Sequence, residues 1–215
     1  MAIITIDGPA GAGKSTIAKG LAERLGFTYL DTGAMYRAVA LAAKRKNVSF
    51  DDEAALEELL KDISLTFNND KIILNGEDVS GLIRTREIDK LSSDISRHPC
   101  VRKHLTELQR QIGKNKNIVA EGRDMGTVVF PNADFKFYIT ASPEVRAQRR
   151  LAQLKVKGEK VNFDRLLKEI IDRDRADSSR REAPLKQPEN SIKIDTSDLT
   201  IDEIFGILLP QIKIY

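Results

Sequence analysis

The chain has 215 residues, 41% hydrophobic and 31% charged, which excludes a disordered tail or a coiled coil and leaves room for one sizeable core with inserts. Its 35 Lys and Arg against 32 Asp and Glu give a net charge of only +3, and aromatic residues make up 6%, so neither bulk charge nor a stacking platform points to nucleic acid. A single cysteine, Cys100, excludes an intrachain disulfide and fits a reducing compartment, where it reads as a buried, inert side chain.

The first residues hold no basic stretch leading into an apolar run, and no apolar run approaches the ~18 residues of a membrane span, so the expected location is the cytoplasm. Residues 2–6, Ala-Ile-Ile-Thr-Ile, predict a buried strand. Gly8, Pro9, Ala10, Gly11, Ala12, Gly13, Lys14 and Ser15 then fit the phosphate-binding pattern G-x-x-x-x-G-K-[ST] at every required position. Ile17, Leu21 and Leu25 follow at helical spacing, so strand, glycine loop and helix come in the order of an ATP site. In such a site backbone amides and the helix N-terminus, with Thr16 in its first turn, hold the phosphates. Lys14 reaches the β- and γ-phosphates, and the Ser15 hydroxyl can ligate Mg²⁺.

Gly26 suits a left-handed helix cap, and residues 27–30 predict a second strand that delivers Asp31, Thr32 and Gly33 to its C-terminal end. A helix is expected over 34–46, with Met35 and Val39 inward and Asn47 closing it; Asp31 reads equally as its cap or as a group ordering Mg²⁺-bound water. The segment 49–52 opens an acidic helix holding Leu56, Leu59 and Leu60. From Ile63 apolar residues alternate with polar ones. A turn at 68–70 and the hairpin signal Asn75-Gly76 predict a small antiparallel insert over about 63–85, part of a mobile lobe. Helices at 86–97 and 100–112 break at His98-Pro99, and His98 and His104 lack partners at metal spacing.

Strands are expected at 117–120, ending in Glu121-Gly122-Arg123-Asp124, and at 135–139. Ser142 and Pro143 start a helix with Arg146, Arg149 and Arg150 on one face, which runs into the charged stretch 155–160. Asn162 starts another, with Phe163, Leu166, Leu167, Ile170 and Ile171 inward and Arg173, Asp177, Arg180 and Arg181 sharing a face. A strand at 191–195 and a helix over 200–209 complete an α/β fold with a mainly parallel five-stranded sheet flanked by helices.

In a parallel sheet, ligands sit beyond the carboxyl ends of the strands, where the glycine loop, Asp31-Thr32-Gly33 and Arg123-Asp124 are expected to converge. Arginines beside a phosphate loop suit phosphoryl transfer, which depends on positioning and charge neutralisation. The absence of an obvious general base favours a phosphate acceptor over an alcohol. A kinase acting on UMP, AMP or shikimate shares the loop, and the loop alone leaves that choice open. A nucleotide switch needs an Asn-Lys-x-Asp motif, and Asn115-Lys116 lacks the aspartate.

Three blocks carry a family resemblance: Ile4 to Ser15, Leu30-Asp31-Thr32-Gly33-Ala34-Met35-Tyr36-Arg37, and Glu121-Gly122-Arg123-Asp124-Met125-Gly126-Thr127-Val128-Val129-Phe130-Pro131. With Arg173-Asp174-Arg175, these resemble bacterial cytidylate kinases of the nucleoside monophosphate kinase family, over essentially the whole chain. The resemblance implies a P-loop kinase fold in one domain, with a core of about 1–34, 114–148 and 182–215. It also implies an NMP-binding lobe of about 35–113 that carries the hairpin insert, and a short helical lid of about 149–165.

The implied reaction is Mg²⁺-dependent transfer from ATP to CMP or dCMP by a monomer, with no membrane or nucleic-acid partner. By the same resemblance Thr32 and Arg37 touch the nucleotide and its phosphate, while Ser93, Asp124 and Arg102 read the base. Arg123 and Arg173 grip the acceptor phosphate, Asp177 holds the pentose hydroxyl and Arg180 lies beside the phosphate. Arg149, with Arg146 and Arg150, comes from the lid, and Lys14, Arg123, Arg149 and Arg173 form the catalytic set. Thr32 stands where the family often has serine and keeps the hydroxyl.

Overall fold

A computed structural model describes residues 1–68, 71–156 and 158–213, with the side chain of Asn68 left out. Asn69 and Asp70 of the expected turn and Lys157 of the expected lid lie outside the described residues. The chain folds as two compact units, Met1–Leu30 with Asn115–Tyr215, and Asp31–Lys114.

In the first unit, β1 (Ile3–Asp7) alternates strictly: Ile4 and Ile6 enter the core on one face, while Thr5 and Asp7 are buried on the other. The phosphate loop leads from β1 into α1 (Lys14–Leu25), which Gly26 ends in the left-handed conformation, φ 66°. After β2 (Thr28–Asp31) the chain leaves this unit and returns with β6 (Ile118–Gly122). A single π-helical turn, Met125–Val129, precedes β7 (Phe135–Thr140). Then come α6 (Pro143–Val156), α7 (Phe163–Ser178), β8 (Ile192–Asp195) and α8 (Ile201–Leu208).

The sheet order is β2-β6-β1-β7-β8, with β1 parallel to both β6 and β7 and β7 parallel to β8. Ile17 and Leu21 of α1 and Ile204, Phe205 and Leu208 of α8 cover Ile4, Ile6, Phe137 and Ile139. Truncating a side chain as fully enclosed as Phe137 would cost about 3–5 kcal/mol. Because β1 is central, its C-terminal end places the phosphate loop where strand neighbours support it on both sides.

In the second unit, α2 (Thr32–Arg45) begins two residues earlier than periodicity suggests, because the Asp31 carboxylate accepts the Ala34 amide at 2.8 Å. Asn47, at φ 52°, lies just past its end. Next come α3 (Glu53–Lys61), capped by Asp52, and an antiparallel sheet of β3 (Leu65–Asn68), β4 (Lys71–Leu74) and β5 (Glu77–Asp78). Asn75 and Gly76 both have positive φ, 49° and 86°, the turn that their sequence predicts. The helices α4 (Arg86–Ile95) and α5 (Pro99–Gly113) follow, with His98 at the N-cap position and Pro99 first in the helix.

Some expectations fail locally. Ile171 is 38% exposed: one residue past the buried Ile170, it is rotated about 100° off the stripe that Leu166 and Ile170 define. The helix α7 ends at Ser178, so Arg180 and Arg181 share no helical face with Arg173 and Asp177. The Arg180 Nε donates to the Asp177 carbonyl at 3.3 Å, a C-terminal carbonyl that further helix would have served. Cys100 is half-buried rather than buried, although burial still pushes its thiol pKa up, as an inert cysteine requires. No helix among the described residues is long and apolar enough to cross a membrane.

Candidate active site

The phosphate loop is fixed by what its backbone cannot avoid. Gly8 has φ 148°, and a Cβ there would lie 1.9 Å from the Ile139 carbonyl oxygen, so β7 is packed against bare backbone. Gly13, at φ 93°, occupies the N-cap of α1 without a side chain to cap it, leaving first-turn amides for an anion.

The loop carbonyls turn the other way and are tethered. The Lys14 Nζ donates to Pro9 O at 2.8 Å, the Arg146 Nη1 to Ala10 O at 3.1 Å, and the Ile17 amide to Gly13 O at 3.1 Å. The Thr196 hydroxyl lies 3.2 Å from Ala12 O and 3.1 Å from Thr140 O. Ser15 and Thr16 are exposed at the start of α1.

Lys14 is buried, and its pKa falls to about 7: burial penalises the ammonium most, and Arg123 and Arg173 push it down further. Two guanidinium groups therefore press on Lys14 beside the loop. Arg123 is oriented by Asp177, Nε to Oδ2 at 3.0 Å. The Asp177 carboxylate turns out of its own helix to reach Arg123, which enters from the end of β6. Burial raises the Asp177 pKa, but Arg123, Arg173 and Arg180 outweigh it and hold the carboxyl below its ordinary value. Asp124, next to Arg123, is buried as well.

Sequence reading missed several supports. Both oxygens of the fully buried Asp7 accept amides, Met125 N at 2.8 Å and Gly126 N at 2.7 Å. Burial raises the Asp7 pKa to about 7, against those two hydrogen bonds. The only sequence sign was a carboxylate closing a strand that is otherwise buried.

Arg146, expected in a lid, is 3% exposed: its Nε donates to Ala141 O at 2.9 Å and its Nη atoms to Asp174 at 3.0 and 2.5 Å. A guanidinium so engaged braces the phosphate loop and is not turned towards a ligand. Arg149 is directed to Thr196, Nη2 to its carbonyl at 2.6 Å. Tyr29 donates its hydroxyl to Glu121 at 2.8 Å, securing β2 to β6.

The second unit holds its own group of expected residues. Asp31 caps α2 and lies 3.3 Å from Arg37 Nη2 and 3.6 Å from Arg84 Nη2. The Arg37 Nε is buried without a hydrogen-bond partner among the described residues, a donor that suits an anionic ligand. Arg102 is buried, donates to Ser96 O at 3.2 Å and places its guanidinium 5.6 Å over the Tyr36 ring. Thr32 is buried and Ser93 half-buried.

Among the described residues no group of three or more His, Cys, Asp or Glu could hold a metal. The Ser15 hydroxyl, exposed at the start of α1, is suited to an ion such as Mg²⁺, which keeps several waters and takes phosphate oxygens with one or two protein groups.

Residues 4–214 match the family model described as cytidylate kinase. A curated cytidylate kinase of Caldanaerobacter subterraneus subsp. tengcongensis is 51% identical over 201 residues, covering 94% of this chain and 90% of that protein. One of Geobacter sp. (strain M21) is 46% identical over 215 residues, covering 98% and 92%. Among solved structures, a shikimate kinase from Bacteroides thetaiotaomicron superposes with a TM-score of 0.50 at 14% identity, covering 97% of this chain and 98% of that one, a likeness of fold alone.

Proposed function

Since the chain belongs to the cytidylate kinase family and is a nucleoside monophosphate kinase, we propose that it transfers the γ-phosphoryl group of ATP in line to CMP and dCMP, giving CDP and dCDP. The observation that carries this reading is the crowding of Lys14 by Arg123 and Arg173 beside the phosphate loop, whose charges add to burial in lowering the lysine's pKa and suit the site to an anion. Asp124 stands next to that cluster in the chain and suits the donor edge of a base.

In the proposed reaction an oxygen of the acceptor phosphate attacks the γ-phosphorus. A new P–O bond forms there while the bond to the β,γ-bridging oxygen breaks, and ADP leaves with that electron pair. The acceptor oxygen is already ionised at neutral pH, so no side chain must take a proton. Bound Mg²⁺ would neutralise phosphate charge, held by Ser15 and, through water, Asp31. Gly8 to Thr16 bind the ATP phosphates through backbone and hydroxyl groups, and Lys14 leaves Pro9 O for the transferred group.

Arg123, Arg173 and Arg180 grip the acceptor phosphate, and Asp177 accepts a pentose hydroxyl. Thr32, Arg37, Ser93 and Arg102 also belong to the acceptor nucleotide, Arg37 on its phosphate and Ser93 and Arg102 on the base. Arg149, released from Thr196, completes the catalytic set. We take a monomer in the cytoplasm as the working unit.

The test is ADP release from Mg-ATP with CMP, dCMP, UMP, AMP and shikimate offered separately. Strong turnover with CMP and dCMP, weak with UMP and none otherwise is expected, all of it lost in excess EDTA. Tight ATP binding with no acceptor-dependent turnover would sink the reading.

A further inference from the structure

We propose that Asp7 is a positioning residue for acceptor recognition, its carboxylate fixing the Arg123-Asp124 dipeptide by holding the two amides that follow it. This rests on the acceptor-site reading above. The last rung of the β1–β6 ladder pairs Asp7 with Gly122; beyond it Arg123 and Asp124 leave the sheet with no ladder to set their direction.

The chain is caught again by the π-helical turn. There Val128 N and Val129 N donate to Asp124 O, and Phe130 N to Met125 O. The amides of Met125 and Gly126 open that turn, and each takes one oxygen of Asp7. The dipeptide is thus tied on its N-terminal side by the ladder and on its C-terminal side by Asp7. Both ties run to the same central strand, the one that continues into the phosphate loop.

Gly126 makes the reach possible. A Cβ there would stand 2.9 Å from Thr5 Oγ1 and 2.9 Å from Pro188 Cγ, so the turn lies directly on β1. A neutral side chain or water would satisfy two amides at lower desolvation cost than a fully buried carboxylate. What a carboxyl group adds is a bidentate grip, since its two oxygens hold both amides from one rigid group, and in the ionised form that those amides favour such hydrogen bonds are roughly twice as strong as neutral ones.

The test is Asp7→Asn, which retains one acceptor and turns an NH₂ group against the second amide. KM for CMP should rise about tenfold or more, with KM for ATP within about twofold and the preference for CMP over UMP reduced, since losing a hydrogen bond to a charged group is worth that much. A general loss of structure would move both substrates together, and that result would overturn the proposal. Asp124→Ala is measured alongside. If it raises KM for CMP and Asp7→Asn does not, the positioning role is wrong and the acceptor reading stands. If neither variant moves KM, the acceptor reading fails and takes the proposal with it. Should Asp7→Asn not fold, hydrogen exchange in the wild-type chain decides: Met125 and Gly126 amides must exchange slowly before any nucleotide is added, and fast exchange refutes the clamp.

Discussion

A lid arginine that moves onto the transferred group would, when removed, slow turnover and leave stability alone. Arg146 in its observed place predicts the opposite. Arg146→Ala removes both hydrogen bonds to Asp174 and the donors to the Ala141 and Ala10 carbonyls. Breaking a buried ion pair at one partner costs about 3–5 kcal/mol. Asp174 retains 24% side-chain exposure beside a cavity of about 350 Å³ that also touches Pro9 and Tyr138, so water recovers part of its solvation. We therefore expect a loss of about 3 kcal/mol, read as a shift in urea midpoint at constant slope. A double-mutant cycle with Asp174→Ala should return a coupling of about 1–2 kcal/mol. KM for ATP should rise as well, because the Ala10 carbonyl is freed. An unchanged midpoint with zero coupling, and kcat alone depressed, would refute the brace and restore the lid role.

Lys14→Ala should abolish phosphoryl transfer while the chain stays folded, because it removes a buried cation whose pKa burial has already lowered to about 7; retained transfer in an ADP-release assay would undo its assignment. Gly8→Ala should yield little folded protein on size-exclusion chromatography, since its Cβ has 1.9 Å to the Ile139 carbonyl; a normal yield would mean that β7 and the loop separate easily. Asp177→Asn should flatten the acid limb of stability. The folded carboxyl titrates below its ordinary 3.8, so as pH drops through 3.8 the unfolded chain binds the proton first, and the stabilisation present above about pH 4 is lost on the way to the folded pKa. Urea midpoints of wild type and variant should converge towards pH 2, and a constant gap across that range would contradict the pairing with Arg123.

What the sequence reveals depends on how local the determinant is. The phosphate loop was legible because a contiguous pattern encodes glycines where φ must be positive, and the Asn75-Gly76 turn for the same reason. Strand and helix order followed from periodicity, which the central place of β1 then turned into a site. The supports were illegible because their partners are remote: Asp7 reaches amides 118 and 119 positions away, and Thr196 reaches Ala12 across 184. Arg146 shows the limit of face arguments. Spacing groups it correctly with Arg149 and Arg150, but which way a helix turns its arginines is decided by Asp174 and the loop carbonyls, and neither is local in sequence. The face that Arg180 was expected to share with Arg173 and Asp177 fails for a simpler reason, since the helix that would have carried it stops at Ser178.

The tethered carbonyls of Pro9, Ala10, Ala12 and Gly13 also bear on what capturing a nucleotide costs. A trans peptide carries its N–H opposite its C=O, so each tether aims an amide, those of Ala10, Gly11, Gly13 and Lys14. The loop is wound before any phosphate arrives, and an ordering entropy of about 1–2 kcal/mol per residue is absorbed in folding, not at the moment of encounter. Lys14 is the exception, because its ammonium must exchange the Pro9 carbonyl for a phosphate oxygen. Within the loop, the one group that must change partners is this lysine, so little of the binding energy goes into ordering the backbone around the phosphates.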